Sequence, residues 1–141
     1  MLAALAVFSL GLAVLGTRWS DVSRREREQD LLRIGALYAS AIGAYHAASP
    51  GSLKEFPPDL GSLLADGRRV GTLRHLRRLY PDPLDPSRPW GIVRGPDGSV
   101  RGIFSRGTGE PLRREPVETS GLVLPAARHY AEWKFAPKVD R

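Results

Sequence analysis

The chain opens on an unbroken apolar run, Met1 to Thr17, closed by Arg18 and Trp19. Ser23 to Asp30 follows and is polar on every side of a helix. From Leu31 to Ala48 the pattern turns two-faced. At 100° per residue, Leu31, Ile34, Tyr38, Ile42 and Tyr45 fall on one side, with Gly35, Ala36, Ala39, Ser40, Gly43 and Ala47 on the other. No helix breaker interrupts these stretches before Pro50-Gly51. The pattern predicts one helix over residues 1–49, half in a membrane and half out. Its polar middle gains little from its own charges. Arg24–Glu28 is an opposite pair and Glu26–Asp30 a like-charged one, so continuity rests on the flanking apolar segments. About 47 helical residues rise roughly 70 Å. A bilayer core takes about 30 Å of that, leaving a stalk with a head on its far end.

The bulky side, Leu31, Ile34, Tyr38, Ile42 and Tyr45, is expected to bury into the head. The small side, Gly35, Ala39 and Gly43 foremost, permits another helix to approach closely, or is a plain solvent face. Each glycine costs about 1 kcal/mol against alanine in a helix, which favours a packing reason.

Beyond Pro50-Gly51 the signals are short. Phe56-Pro57-Pro58 enters extended, and Asp59 is placed to cap a short helix holding Leu60, Leu63 and Leu64, closed by Asp66-Gly67. Thr72 is placed to cap a second, with Leu73, Leu76 and Leu79 inward and Arg74, Arg77 and Arg78 forming an outward basic face. A proline-rich turn spans Tyr80 to Pro86. Two strands, Trp90–Arg94 and Ser99–Ser105, flank the hairpin turn Gly95-Pro96-Asp97-Gly98. Residues 106–120 read as a loop. A short helix from Pro125 is expected, then a packed end with Tyr130, Trp133 and Phe135 in the core.

Charge adds a basic surface. The net charge is +6, and 18 of the 21 basic residues are Arg. The partners this fits are nucleic acid, anionic lipid or acidic proteins. Nucleic acid is not expected, because the basic segment lacks interleaved base-reading or stacking side chains. The absence of cysteine excludes disulfides, thiolate metal sites and Cys nucleophiles. His46, His75 and His129 have no metal-ligand spacing. Asp82 and Asp85 offer oxygen ligands for Ca²⁺, but their alternation with Pro81, Pro83 and Pro86 fits a rigid turn better. No phosphate loop or nucleophile elbow is present. No cofactor is assigned and an enzyme is disfavoured. The first run lacks the basic n-region and cleavage pattern of a signal peptide, and Trp19 suits an interface, so a retained anchor is favoured.

These features together resemble the type IV pilin-like proteins, in particular pseudopilins of the type II secretion system close to the major pseudopilin. The stretches that carry the resemblance are Arg25–Gly35, the helix end at Tyr45–Gly51, Phe56-Pro57 with Leu60, Leu63 and Leu64, Arg74–Leu84, and Trp90-Gly91 leading into a hairpin. The resemblance implies a bacterial inner-membrane protein with a periplasmic head. It implies assembly with copies of itself or other pseudopilins through the N-terminal helix, on an inner-membrane secretion platform. The family's short basic leader, its Gly-Phe junction and its nearby Glu are not matched here. The resemblance therefore predicts that upstream in-frame codons encode them. Without a basic leader, Arg18, Arg24, Arg25 and Arg27 beyond the span would favour a cytoplasmic head.

The expected architecture is α+β: a long N-terminal helix, membrane-spanning in its first half, packed on a small head with short helices and an antiparallel sheet. Residues 1–19 form the transmembrane segment, 20–49 the extramembrane half of the helix, and 50–141 the periplasmic head. The alternative reading is an anchored or secreted basic module that uses Arg74, Arg77, Arg78 and Arg101 on an anionic partner, nucleic acid or lipid.

Overall fold

The computed structural model describes residues 2–139, with side chains from Arg18 onward. One helix, α1 (Leu2–Ala47), runs unbroken for 46 residues. Against it packs a head of two antiparallel pairs, β1 (Gly91–Arg94) with β2 (Val100–Phe104), and β3 (Val117–Thr119) with β4 (Leu122–Leu124). The fold is α+β. Among the described residues no helix is long and apolar enough to cross a membrane. The span expected over residues 1–19 falls almost wholly on side chains outside the described set.

The core lies between the second half of α1 and the head's last third. Leu31, Tyr38, Ile42, Ile103, Trp133 and Phe135 are at most 1% exposed. Phe135 extends the first pair into a third rung. Its N–H and carbonyl bond to Ile103 at 2.8 and 3.0 Å, so β2 is paired on both sides. In the β1–β2 turn, Gly98 takes φ +78°, and Asp97 accepts from the Ser99 N–H and hydroxyl at 3.1 and 2.6 Å. A side chain at Gly98 would be strained in that left-handed region.

The end of α1 is held by cations. Lys54 Nζ donates to Ala47 O (3.2 Å), Arg68 Nη2 to Tyr45 O (2.6 Å) and Arg69 Nε to Ala48 O (2.8 Å). Helix C-termini leave carbonyls without intrahelical donors and carry partial negative charge, so these groups serve both needs.

Three local expectations are corrected. Residues 73–79 are not a helix. Leu73 bridges Asp66, the His75 and Leu76 N–H groups both donate to Leu63 O at 2.9 Å, and the Tyr80 N–H donates to the Tyr38 hydroxyl. Long-range acceptors take the donors a helix would need, and a single seven-residue stretch is too short to compete. Leu76 is buried, while Leu73 and Leu79 are over 40% exposed. Second, residues 106–120 are not wholly loop. Val117–Thr119 pairs with Leu122–Leu124 across Ser120-Gly121, both with positive φ, the two-residue turn that suits twisted strands. Third, no helix starts at Pro125. Its carbonyl instead accepts from Trp133 Nε1 at 3.0 Å, and only Tyr130–Glu132 forms a 3₁₀ turn. The Asp59 expectation takes a smaller form, with its carboxylate accepting from the Ser62 N–H at 2.8 Å over the 3₁₀ turn Gly61–Leu63.

Candidate functional site

Leu31, Ile34, Tyr38, Ile42 and Tyr45 all lie buried against the head. Tyr38 is fixed there by its ring, edge-on to Trp90 at 5.6 Å, and by its hydroxyl, which donates to Tyr80 O at 3.0 Å. The small side of α1 is covered as well. A Cβ built at Gly35 would fall within 3.0 Å of three Phe135 ring atoms, and one at Gly43 lies 3.1 Å from Pro137 Cβ. Ala36 and Ala39 are buried. Gly35 and Gly43 therefore admit the chain's own C-terminal segment, at Phe135 and Pro137. Of the small side, Gly35, Ala36 and Ala39 are buried, while Ser40 and Ala47 stay exposed.

Two polar clasps complete the grip. Glu28, in the charged stretch, is 2% exposed. Its Oε2 accepts from the Leu112 N–H at 2.7 Å and the Tyr130 hydroxyl at 2.8 Å, with Arg113 Nε 3.6 Å from Oε1. Burial first, then the Glu28 hydrogen bond and charge, push the Tyr130 hydroxyl up to about 12. The second clasp centres on Arg68. Its guanidinium lies 3.6 Å over the Tyr45 ring, donates to Ser49 Oγ at 2.8 Å, and grips Asp66 through both carboxylate oxygens at 2.9 and 2.8 Å. Those hydrogen bonds hold the Asp66 carboxyl well below the usual carboxylate range, against the opposing pull of burial. His75 Nε2 sits 3.0 Å from Asp66 Oδ2.

What α1 leaves uncovered is a third stripe. Arg33, Leu37, Ser40, Ala44 and Ala47 are exposed, at alternating spacings of four and three residues. The same stripe continues upward through Gln29, Glu26, Val22 and Trp19, all exposed. Spacings of three and four keep these residues on one side of a helix. Ser40 and Ala47 of the stripe were read with the small side, and Arg33, Leu37 and Ala44 fall in the gap between the two sides. Glu28 went unread in its charged stretch, although it stands four residues before Leu32 and seven before Gly35, in line with the head side.

The remaining candidates are dispersed. Arg74, Arg77 and Arg78 are exposed, but on an irregular segment instead of one helix face, and Arg78 stacks over Tyr80 at 4.8 Å. Arg101 lies 3.8 Å over the Phe56 ring and pairs with Asp97 at 3.2 Å. Asp82 is buried and turned on protein donors, the Leu84 N–H at 2.9 Å, Ser105 Oγ at 2.6 Å and the Arg106 N–H at 3.2 Å. Asp85 accepts from Ser87 Oγ and pairs with Arg88. Among the described residues no three His, Asp or Glu side chains gather as a metal site. His46 stacks on Phe56 at 4.3 Å, away from His75 and its Asp66 partner.

No protein-family pattern, curated protein or solved structure matches the chain.

Proposed function

We propose that the chain is a structural subunit of a pseudopilus-like filament, seated by the first half of α1 in a bacterial inner membrane and carrying its head in the periplasm. One observation carries the reading. Among the described side chains the head grips α1 from about Arg24 onward, although the helix begins at Leu2. Some 33 Å of helix at about 1.5 Å per residue lies before that grip, beginning with an apolar run of about 25 Å, near the shortest able to span a bilayer core. A head that needed only an anchor would not need a helix braced by Glu28 and Arg68 along its far half. Bracing keeps the stripe straight and presented. In the proposed filament the contacts between copies use Leu37, Ser40, Ala44 and Ala47, and the head supplies outer wall instead of catalytic chemistry.

Seating and sidedness are tested together. The chain has no cysteine, and Val70 is fully exposed on a loop, so Val70→Cys offers one addressable thiol. The full chain is expected in the inner-membrane fraction, with that thiol reacting with an impermeant maleimide once the outer membrane alone is opened. A chain in the soluble fraction, or a thiol that reacts only after lysis, would overturn the proposal.

A further inference from the structure

Residues 18–27 meet the head only at their lower end, where Arg24 Nη2 donates to Glu110 O at 3.4 Å and approaches the Tyr130 hydroxyl, and Arg25 lines a cleft with Leu112 and Arg113. Arg18, Arg24, Arg25 and Arg27 are all exposed there, against Asp21 and Glu26. None of the four has an ion-pair partner among the described residues. Beside them stand two exposed apolar side chains, Trp19 at 77% and Val22 at 53%. Trp19 precedes Glu28 by nine residues, which places it on the opposite side of the helix from the head's clasp.

Unpaired guanidiniums, an exposed indole and an exposed valine within three turns, directly after an apolar run, suit one environment. The indole and valine fit the boundary between acyl chains and headgroups, and the guanidiniums fit phosphates. From Arg18 to Arg27 the helix rises roughly 14 Å, somewhat more than one headgroup layer of about 5–8 Å. Arg18 then lies within the layer, and Arg25 reaches back to it along its apolar stem. We infer that residues 18–27 form a collar that gathers anionic phospholipid around the point where α1 leaves the bilayer. The inference rests on the membrane seating proposed above. It explains why the exposed stripe is aromatic at its upper end, with arginines around the helix beside it, but small and nearly neutral from Leu37 to Ala47: the upper end meets lipid.

Trp19 supplies the readout, because Trp90 and Trp133 are buried at 6% and 0% exposure. The full chain is placed in vesicles of equimolar phosphatidylcholine and phosphatidylglycerol, with bromine carried by one lipid or the other as a fluorescence quencher. Brominated phosphatidylglycerol is expected to quench several-fold more strongly, about fivefold per engaged arginine, and the preference is expected to shrink as salt rises. Arg18→Gln with Arg25→Gln is expected to bring the two lipids close to equal, while Arg94→Gln on the β1–β2 hairpin leaves the preference unchanged. Equal quenching in the unaltered chain overturns the collar and leaves the anchor standing. No quenching by either lipid overturns both.

Discussion

Replacing Gly35 with alanine sets two effects of opposite sign against each other. In a helix interior alanine is favoured over glycine by about 1 kcal/mol. Against this, the new methyl would fall within 3.0 Å of Cγ, Cδ1 and Cε1 of Phe135. That ring has nowhere to swing. It is fully buried, and its backbone is pinned to Ile103 by two hydrogen bonds. Overpacking of a filled core costs about 1–3 kcal/mol, and a clash with three atoms of one fixed ring belongs at the upper end. The net expectation is a loss of about 2 kcal/mol, or a fall in Tm of roughly 6–8 °C for a chain of this size. Gly43→Ala is the internal comparison. Its methyl meets one Pro137 carbon at 3.1 Å, which a shift of a few tenths of an ångström relieves, so helix propensity leaves that variant neutral or slightly stabilised. Urea midpoints of the full chain in mild detergent, followed by near-UV circular dichroism, separate the two. If Gly35→Ala matched or exceeded the parent, or if both glycines responded alike, the packing of the small face on Phe135 would be wrong.

Asp66→Asn removes the carboxylate that Arg68 grips and leaves a partly buried guanidinium without its counter-charge, an expected loss of about 2 kcal/mol in stability, read from the urea midpoint at neutral pH. Because the folded Asp66 ionises below its unfolded value, the unfolded chain binds more protons in acid. The clasp is therefore complete above about pH 5 and fades as pH falls below about 4, and Asp66→Asn should flatten that acid limb. Tyr130 has the opposite sign. Its folded value of about 12 lies above the unfolded value near 10, so its contribution holds below pH ~10 and is lost as pH climbs toward 12. Tyr130→Phe is expected to cost about 1–2 kcal/mol at pH 7 by removing one hydrogen bond to buried Glu28. It should also reduce the alkaline loss, read from tyrosinate absorbance and urea midpoints between about pH 8 and 12. Unchanged midpoints in either variant would remove that clasp from the account.

The long helix was readable because three different apolar and polar patterns follow one another without a breaker. The β1–β2 hairpin was readable because Gly95-Pro96-Asp97-Gly98 is unusual turn chemistry between β-branched residues. The β3–β4 hairpin was not, since three-residue strands are too short to show a period of two. Residues 73–79 misled because leucines at three-residue spacing imitate a helix, while the decision lay with the Leu63 carbonyl and the Tyr38 hydroxyl, remote in sequence. The small face misled for a related reason. Glycine and alanine show that something comes close, not what it is, and Phe135 stands a hundred residues away. Arg68 and Glu28 were unremarked because a charged residue in a charged neighbourhood looks solvated until its partner is known.

In the proposed filament, copies of this chain meet on the stripe running through Leu37, Ser40 and Ala44, and not on Gly35 and Ala39. A cysteine-free chain allows that to be read directly. Single cysteines at positions 35, 37, 39, 40, 43 and 44 of the full chain, oxidised in native membranes and resolved on a non-reducing gel, should give cross-linked dimers at Leu37, Ser40 and Ala44. Little or none should form at Gly35 and Ala39. Maximal cross-linking at Gly35, Ala39 and Gly43, or no cross-linking at any exposed position, would contradict it.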